Sequence, residues 1–140
     1  MSTKYFLDTN VFLYADDRDA GPKQDVAFGI IESAISSGKG VVSTQVLQEY
    51  YVNATRKLGI NPDDVKRKIE LICRLDIVRI HVEDILDAID LHRLHKLSFW
   101  DALIVRCAAV AGCNQILTED LQHNQVLAGV KIINPFREIE

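Results

Sequence analysis

Apolar residues follow two rhythms along this chain. Tyr5-Phe6-Leu7, Val41-Val42, Ile77-Val78 with Ile80, NQILT at 114–118 and VKII at 130–133 are short runs rich in β-branched or aromatic side chains. Each predicts a buried strand. Between them, apolar positions recur every three or four residues. Val26, Ile30, Ile31, Ala34 and Ile35 predict an amphipathic helix over about 23–37, opened by Pro22 and ended by Gly38-Lys39-Gly40. Val46, Leu47, Tyr50, Tyr51 and Ala54 predict another over about 45–58, started by Ser43-Thr44 and stopped at Gly59. Asn61-Pro62-Asp63 opens a helix over about 63–75 with Val65, Ile69, Ile72 and Cys73 on one face. Ile85, Leu86, Ile89 and Leu91 mark a helix over 82–97, and 98–112 forms one more. Asp16-Asp17-Arg18-Asp19 with Gly21-Pro22 reads as a polar loop.

Strands alternating with helices imply βαβ units. The expected fold is α/β, a three-layer α/β/α sandwich around a parallel sheet of about five strands, in a single domain over 1–140. No repeat, low-complexity segment or long linker divides the chain. At 140 residues, 48% hydrophobic and 26% charged, it has an ordinary globular composition and enough length to bury a core without disulfides. Cys73, Cys107 and Cys113 match no paired metal spacing and read as reduced core or near-core thiols. The N-terminus has no signal-peptide pattern and no window is apolar enough to span a bilayer, so the expected location is cytoplasmic, away from membranes.

Topology then groups the acids. In a parallel sheet, ligand sites form at the carboxyl ends of the strands. Asp8 ends the first strand, Glu49 lies early in the helix leaving the second, Asp101 starts the helix before the fourth, and Asp120 follows that fourth strand. All four are placed at one rim. Each also has a structural reading: Asp8 as a cap, Glu49 as an exposed helix residue, Asp101 in a capping box with Ser98, Asp120 as a turn former. Together they repel, unless some are protonated or a cation neutralises them. All-oxygen ligands favour Mg²⁺ or Mn²⁺, which suits phosphodiester hydrolysis. The net charge of −4 speaks against a purely electrostatic nucleic-acid binder. Setting the four acids aside leaves 16 acidic against 16 basic residues, and Arg56-Lys57, Lys66-Arg67-Lys68, Arg93 and Lys96 are available to steer RNA.

The segments LDTNVFLY around Asp8, VLQEYYVNATRK around Glu49, SFWDALIV around Asp101 and ILTEDLQ around Asp120 resemble the PIN-domain ribonucleases, most closely the VapC-type toxins of prokaryotic toxin–antitoxin pairs. The resemblance implies a sheet of order 3-2-1-4-5 and Mg²⁺-dependent endoribonuclease activity on RNA. It also implies a homodimer and inhibition by a cognate antitoxin. It makes Asp8, Glu49, Asp101 and Asp120 the catalytic, metal-binding acids, with Asn10 and Thr118 orienting the carboxylates or water. The chain departs from the pattern after Asp120, where Leu121, Gln122, His123 and Asn124 supply no further acid; Glu119 could substitute only by turning inward.

Two alternatives stand beside this reading. One is a phosphoaspartate phosphohydrolase or receiver domain with Asp8 as nucleophile, disfavoured by Asn10 and by a Lys131 inside the last strand. The other is a catalytically inactive PIN-fold binding module. His92 and His95 read as solvent-facing, His81 as structural, His123 as near the rim, and Trp100 as core or dimer interface rather than a base-stacking platform.

Overall fold

The computed structural model describes residues 3–139. Its elements are β1 (Tyr5–Leu7), α1 (Thr9–Asp16), α2 (Pro22–Ser37), β2 (Gly40–Ser43), α3 (Thr44–Arg56), α4 (Pro62–Ile72), β3 (Asp76–Val78), α5 (Val82–His95), α6 (Phe99–Val110), β4 (Gln115–Leu117), β5 (Val126–Leu127) and β6 (Val130–Ile133). The sheet runs β3-β2-β1-β4-β6-β5. Every pairing is parallel except the edge pair β5–β6. The five expected strands thus keep the order 3-2-1-4-5, and a sixth, antiparallel strand closes one edge.

Successive residues on a strand point to opposite faces. Phe6 and Leu7 on β1, and Val41 and Val42 on β2, are all fully buried, so helices cover both faces of the sheet. On β2, Gly40 is required by close approach: a Cβ there would lie 2.6 Å from the Ala34 Cβ of α2. The αL residue Gly38 (φ 70°) ends α2 and turns the chain into that strand.

After Leu7 the chain passes through the cap residue Asp8 straight into α1, a helix that no apolar spacing announced. Val11 and Phe12 of this helix are buried, with Val11 packed on Ala27 and Phe136. On α5 the expected apolar face is reversed in part. Ala88 and Asp84 are buried, while Val82, Leu86 and Leu94 are exposed by 66%, 57% and 74%, and Ile85 and Ile89 are also exposed. Cys107 and Cys113 are buried as expected; Cys73 is exposed. Tyr51 is likewise exposed, while Tyr50 is buried. No helix among the described residues is long and apolar enough to cross a membrane.

Candidate active site

Four acidic side chains from four separate stretches line one pocket of about 110 Å³: Asp8, Glu49, Asp101 and Asp120. Each arrives by a local rule. Asp8 follows β1 directly and is the N-cap of α1, its Oδ1 accepting from the Thr9 amide at 2.7 Å. The capping and pocket roles are therefore held by one carboxylate, since Oδ2 accepts from the Thr118 hydroxyl at 2.7 Å. Ser43 ends β2 and caps α3, which places Glu49 in the helix's second turn. Glu49 Oε1 accepts from the Thr9 hydroxyl at 2.9 Å. Ser98 caps α6 and accepts from the Asp101 amide at 3.1 Å, so Asp101 sits in the first turn. Asp120 lies three residues past β4; its amide donates to the Thr118 hydroxyl at 3.1 Å and its Oδ2 accepts from the Asn10 amide at 3.4 Å. Thr118 thereby joins Asp8 to Asp120, and Asn10 adds a second tie.

Two of the pocket's carboxyls, Asp8 and Asp101, are disfavoured in their charged form. Burial, followed by the neighbouring Asp120, pushes the Asp8 carboxyl up to about 7, against the opposing pull of the Thr118 hydroxyl and Thr9 amide. Burial also raises Asp101, with Asp120 adding to it and Ser98 opposing. Among the described residues, none of the four carboxylates forms an ion pair.

The donor set suits a hard divalent cation: the pocket's acids, Thr9, Asn10, Gln45 and Asn53 offer oxygen ligands, and no histidine or cysteine lines it. Yet no three acidic, histidine or cysteine groups among the described residues stand close enough to form a ready-made cation cage. The expected convergence is therefore looser than the topology suggested. Repulsion between unpaired carboxylates favours that spacing.

Gln45, Asn53 and Thr9 belong to the pocket and were not singled out from the sequence. Gln45 and Asn53 lie four residues before and after Glu49, the spacing that puts helical side chains on one face. Gln45 is buried; its Nε2 donates to the Trp100 carbonyl at 3.3 Å and its Oε1 has no partner among the described residues. Trp100 is 60% exposed and lines the pocket, contrary to a core position. Glu119 does not turn inward. Its carboxylate accepts from the Tyr14 hydroxyl and pairs with Lys23 at 3.2 Å, and it does not line the acidic pocket. His81 caps α5 in a capping box with Asp84, His92 and His95 are exposed, and His123 Nδ1 accepts from the Asn134 amide at 3.0 Å. None of these histidines lines the acidic pocket.

The sequence matches the PIN domain over residues 5–127. Solved structures of similar fold include VapC20 of Mycobacterium tuberculosis, described as a sarcin–ricin loop cleaving toxin. It is 17% identical, with 84% of this chain and 92% of that one covered and a TM-score of 0.67. A toxin–antitoxin complex from Klebsiella pneumoniae is 17% identical, covering 94% of this chain and 98% of that one, with a TM-score of 0.71. DNA-bound VapBC from Salmonella typhimurium is 19% identical, covering 95% and 98%, with a TM-score of 0.66. At these identities the likeness is one of fold. No curated protein sequence matches the chain.

Proposed function

The chain belongs to the PIN-domain family, and on that premise we propose that it is a Mg²⁺-dependent endoribonuclease, the toxin of a toxin–antitoxin pair. The observation that carries this reading is the acidic pocket: four carboxylates with no ion-pair partner among the described residues, one of them pushed up to about 7. Asp8, Glu49, Asp101 and Asp120 would hold the ion. When bound, Mg²⁺ supplies a Lewis acid for the phosphoryl oxygen and lowers the pKa of water at the site. The chain's own work is orientation. Thr118 holds Asp8 and the Asp120 backbone in one geometry, Asn10 fixes the Asp120 side chain, and Thr9 fixes Glu49.

Two apolar surfaces support the proposed partners. A cavity of about 210 Å³ lined by Phe12, Phe28, Ile31, Ile35, Leu71 and Ile72, with Asp16 and Lys68 on its wall, fits an apolar segment of a cognate antitoxin. The exposed row Val82, Leu86 and Ile89 on α5 fits a second copy of this chain in a homodimer.

The test is cleavage of RNA by the wild type and by Asp101→Asn. The wild type is expected to cleave in Mg²⁺ and stop in EDTA, and the variant to fold normally and lose activity by about a thousandfold, in keeping with the loss of a principal charge-stabilising group. Equal cleavage by the variant would remove the proposed role. Phosphorylation of Asp8 by a small phosphodonor would favour the phosphoaspartate reading instead. Expression alone is expected to halt growth of a bacterial host, and expression of the Asp101→Asn form is not.

A further inference from the structure

Trp100 is the only tryptophan in the sequence, and it is held out into solvent. Its backbone carbonyl accepts from Gln45, and the Phe99 ring braces it edge-on, with centroids 5.2 Å apart and planes at 75°. Its position beside Asp101 puts it on the wall of the acidic pocket. It also lines an adjoining cavity of about 310 Å³, together with Gln48, Val52 and Asn53. Gln45, Glu49, Asn53 and Trp100 are common to both cavities, so the second opens directly off the first.

We propose that this adjoining cavity is a nucleobase subsite, in which Trp100 stacks on the base next to the phosphate held at the acidic pocket. The proposal rests on the ribonuclease reading and names the substrate feature that the site would grip. Three observations favour a base over an aliphatic protein side chain. The exposed indole offers a flat face, and a base in single-stranded RNA is the flat group available next to a phosphate. Amides on the same wall, Gln48 and Asn53, carry both donors and acceptors that match a base edge. The cavity is continuous with the carboxylates rather than with the apolar row on α5. Farther along the same face of α3, Arg56 follows Val52 and Asn53 by four and three residues and is exposed, which supplies a cation for the next phosphate.

Because Trp100 is unique, its fluorescence in the wild-type protein reports on this site alone. In Mg²⁺, a short single-stranded oligoribonucleotide is expected to quench it, while an abasic phosphodiester chain of the same length does not. This arm reads stacking whether or not the strand is cut, so it separates the subsite from the nuclease reading. In steady-state cleavage, Trp100→Leu is expected to raise KM about tenfold with a much smaller change in kcat, and Trp100→Phe to recover most of that loss. Three outcomes would overturn the subsite: emission unmoved by the base-bearing strand, equal quenching by the abasic chain, or emission that follows protein concentration alone as in self-association. Wild-type KM in Trp100→Leu would overturn it while leaving the nuclease reading intact.

Discussion

Asp8 and Asp84 are both aspartates at helix starts, and both are nearly closed to solvent, at 4% and 6% exposure. Their surroundings differ in one respect. Asp84 accepts from the His81 amide at 2.9 Å and pairs with Arg106 at 3.1 Å, and its carboxyl is held below the usual range by that backbone bond and that guanidinium. Asp8 has neutral donors only, and its nearest charged influence is Asp120; burial drives its carboxyl up to about 7. The same contrast occurs within one dipeptide. Glu119 is paired with Lys23 and bonded to Tyr14, while Asp120 beside it faces the acidic pocket. Asp84 and Glu119 are thus neutralised within the fold, whereas the set at the sheet edge has no ion-pair partner among the described residues, and this contrast supports the proposed cation site.

The two buried aspartates must then tilt stability against pH in opposite directions. Asp8 has a native value above its unfolded value of 3.8, so its neutral form stabilises the metal-free fold fully below about pH 4, and that stability is lost as pH rises towards 7. Asp8→Asn keeps the shape and removes the charge. It is expected to stabilise the metal-free protein by about 2–4 kcal/mol at pH 8 and to flatten the loss between about pH 4 and 7, as read by urea unfolding. A variant less stable than wild type at pH 8 would break the comparison. Asp84 is the reverse case. Its native value is lowered, so its contribution is present above its unfolded value and is lost as pH falls. Arg106→Ala leaves it without its cation and is expected to destabilise by about 1–3 kcal/mol at neutral pH, with the difference shrinking in acid. The smallest effect belongs to the dipeptide. Glu119→Gln should lose about 1 kcal/mol and keep cleavage within a few-fold, whereas Asp120→Asn should keep stability and lose cleavage. Measuring both on one preparation sharpens the distinction between a paired and an unpaired acid.

Much of this arrangement was legible in the sequence, because strand ends and helix starts are set by local rules. Ser43, Asn61 and Ser98 cap the helices that their positions announced, and the four acids do line one pocket. What escaped reading depends on packing. The eight residues of α1 carry apolar side chains on more than one side, because Val11 meets Ala27 while Phe12 meets Tyr50, so no helical stripe stood out. The β5–β6 hairpin has two-residue strand β5 and the turn Ala128-Gly129, both at positive φ (50° and 79°). An asparagine in place of that alanine is the usual signal for such a turn. The exposure of Trp100 and the α5 row was hidden too: periodicity identifies an apolar face without saying what covers it. The sequence singled out Asp120 over Glu119, but not the partners that hold Glu119 away from the pocket, since Tyr14 and Lys23 lie about a hundred residues away.

The central claim is that the acidic pocket binds a divalent cation, and thermal unfolding with added cation tests it most directly. At pH 8 the wild type is expected to gain several degrees in Tm as Mn²⁺ or Mg²⁺ is raised, with the gain smaller at pH 5.5, where the ion must displace the Asp8 proton. Asp8→Asn, more stable at the start, is expected to gain little at either pH. A wild-type Tm indifferent to both cations, or an equal gain in Asp8→Asn, would contradict the account.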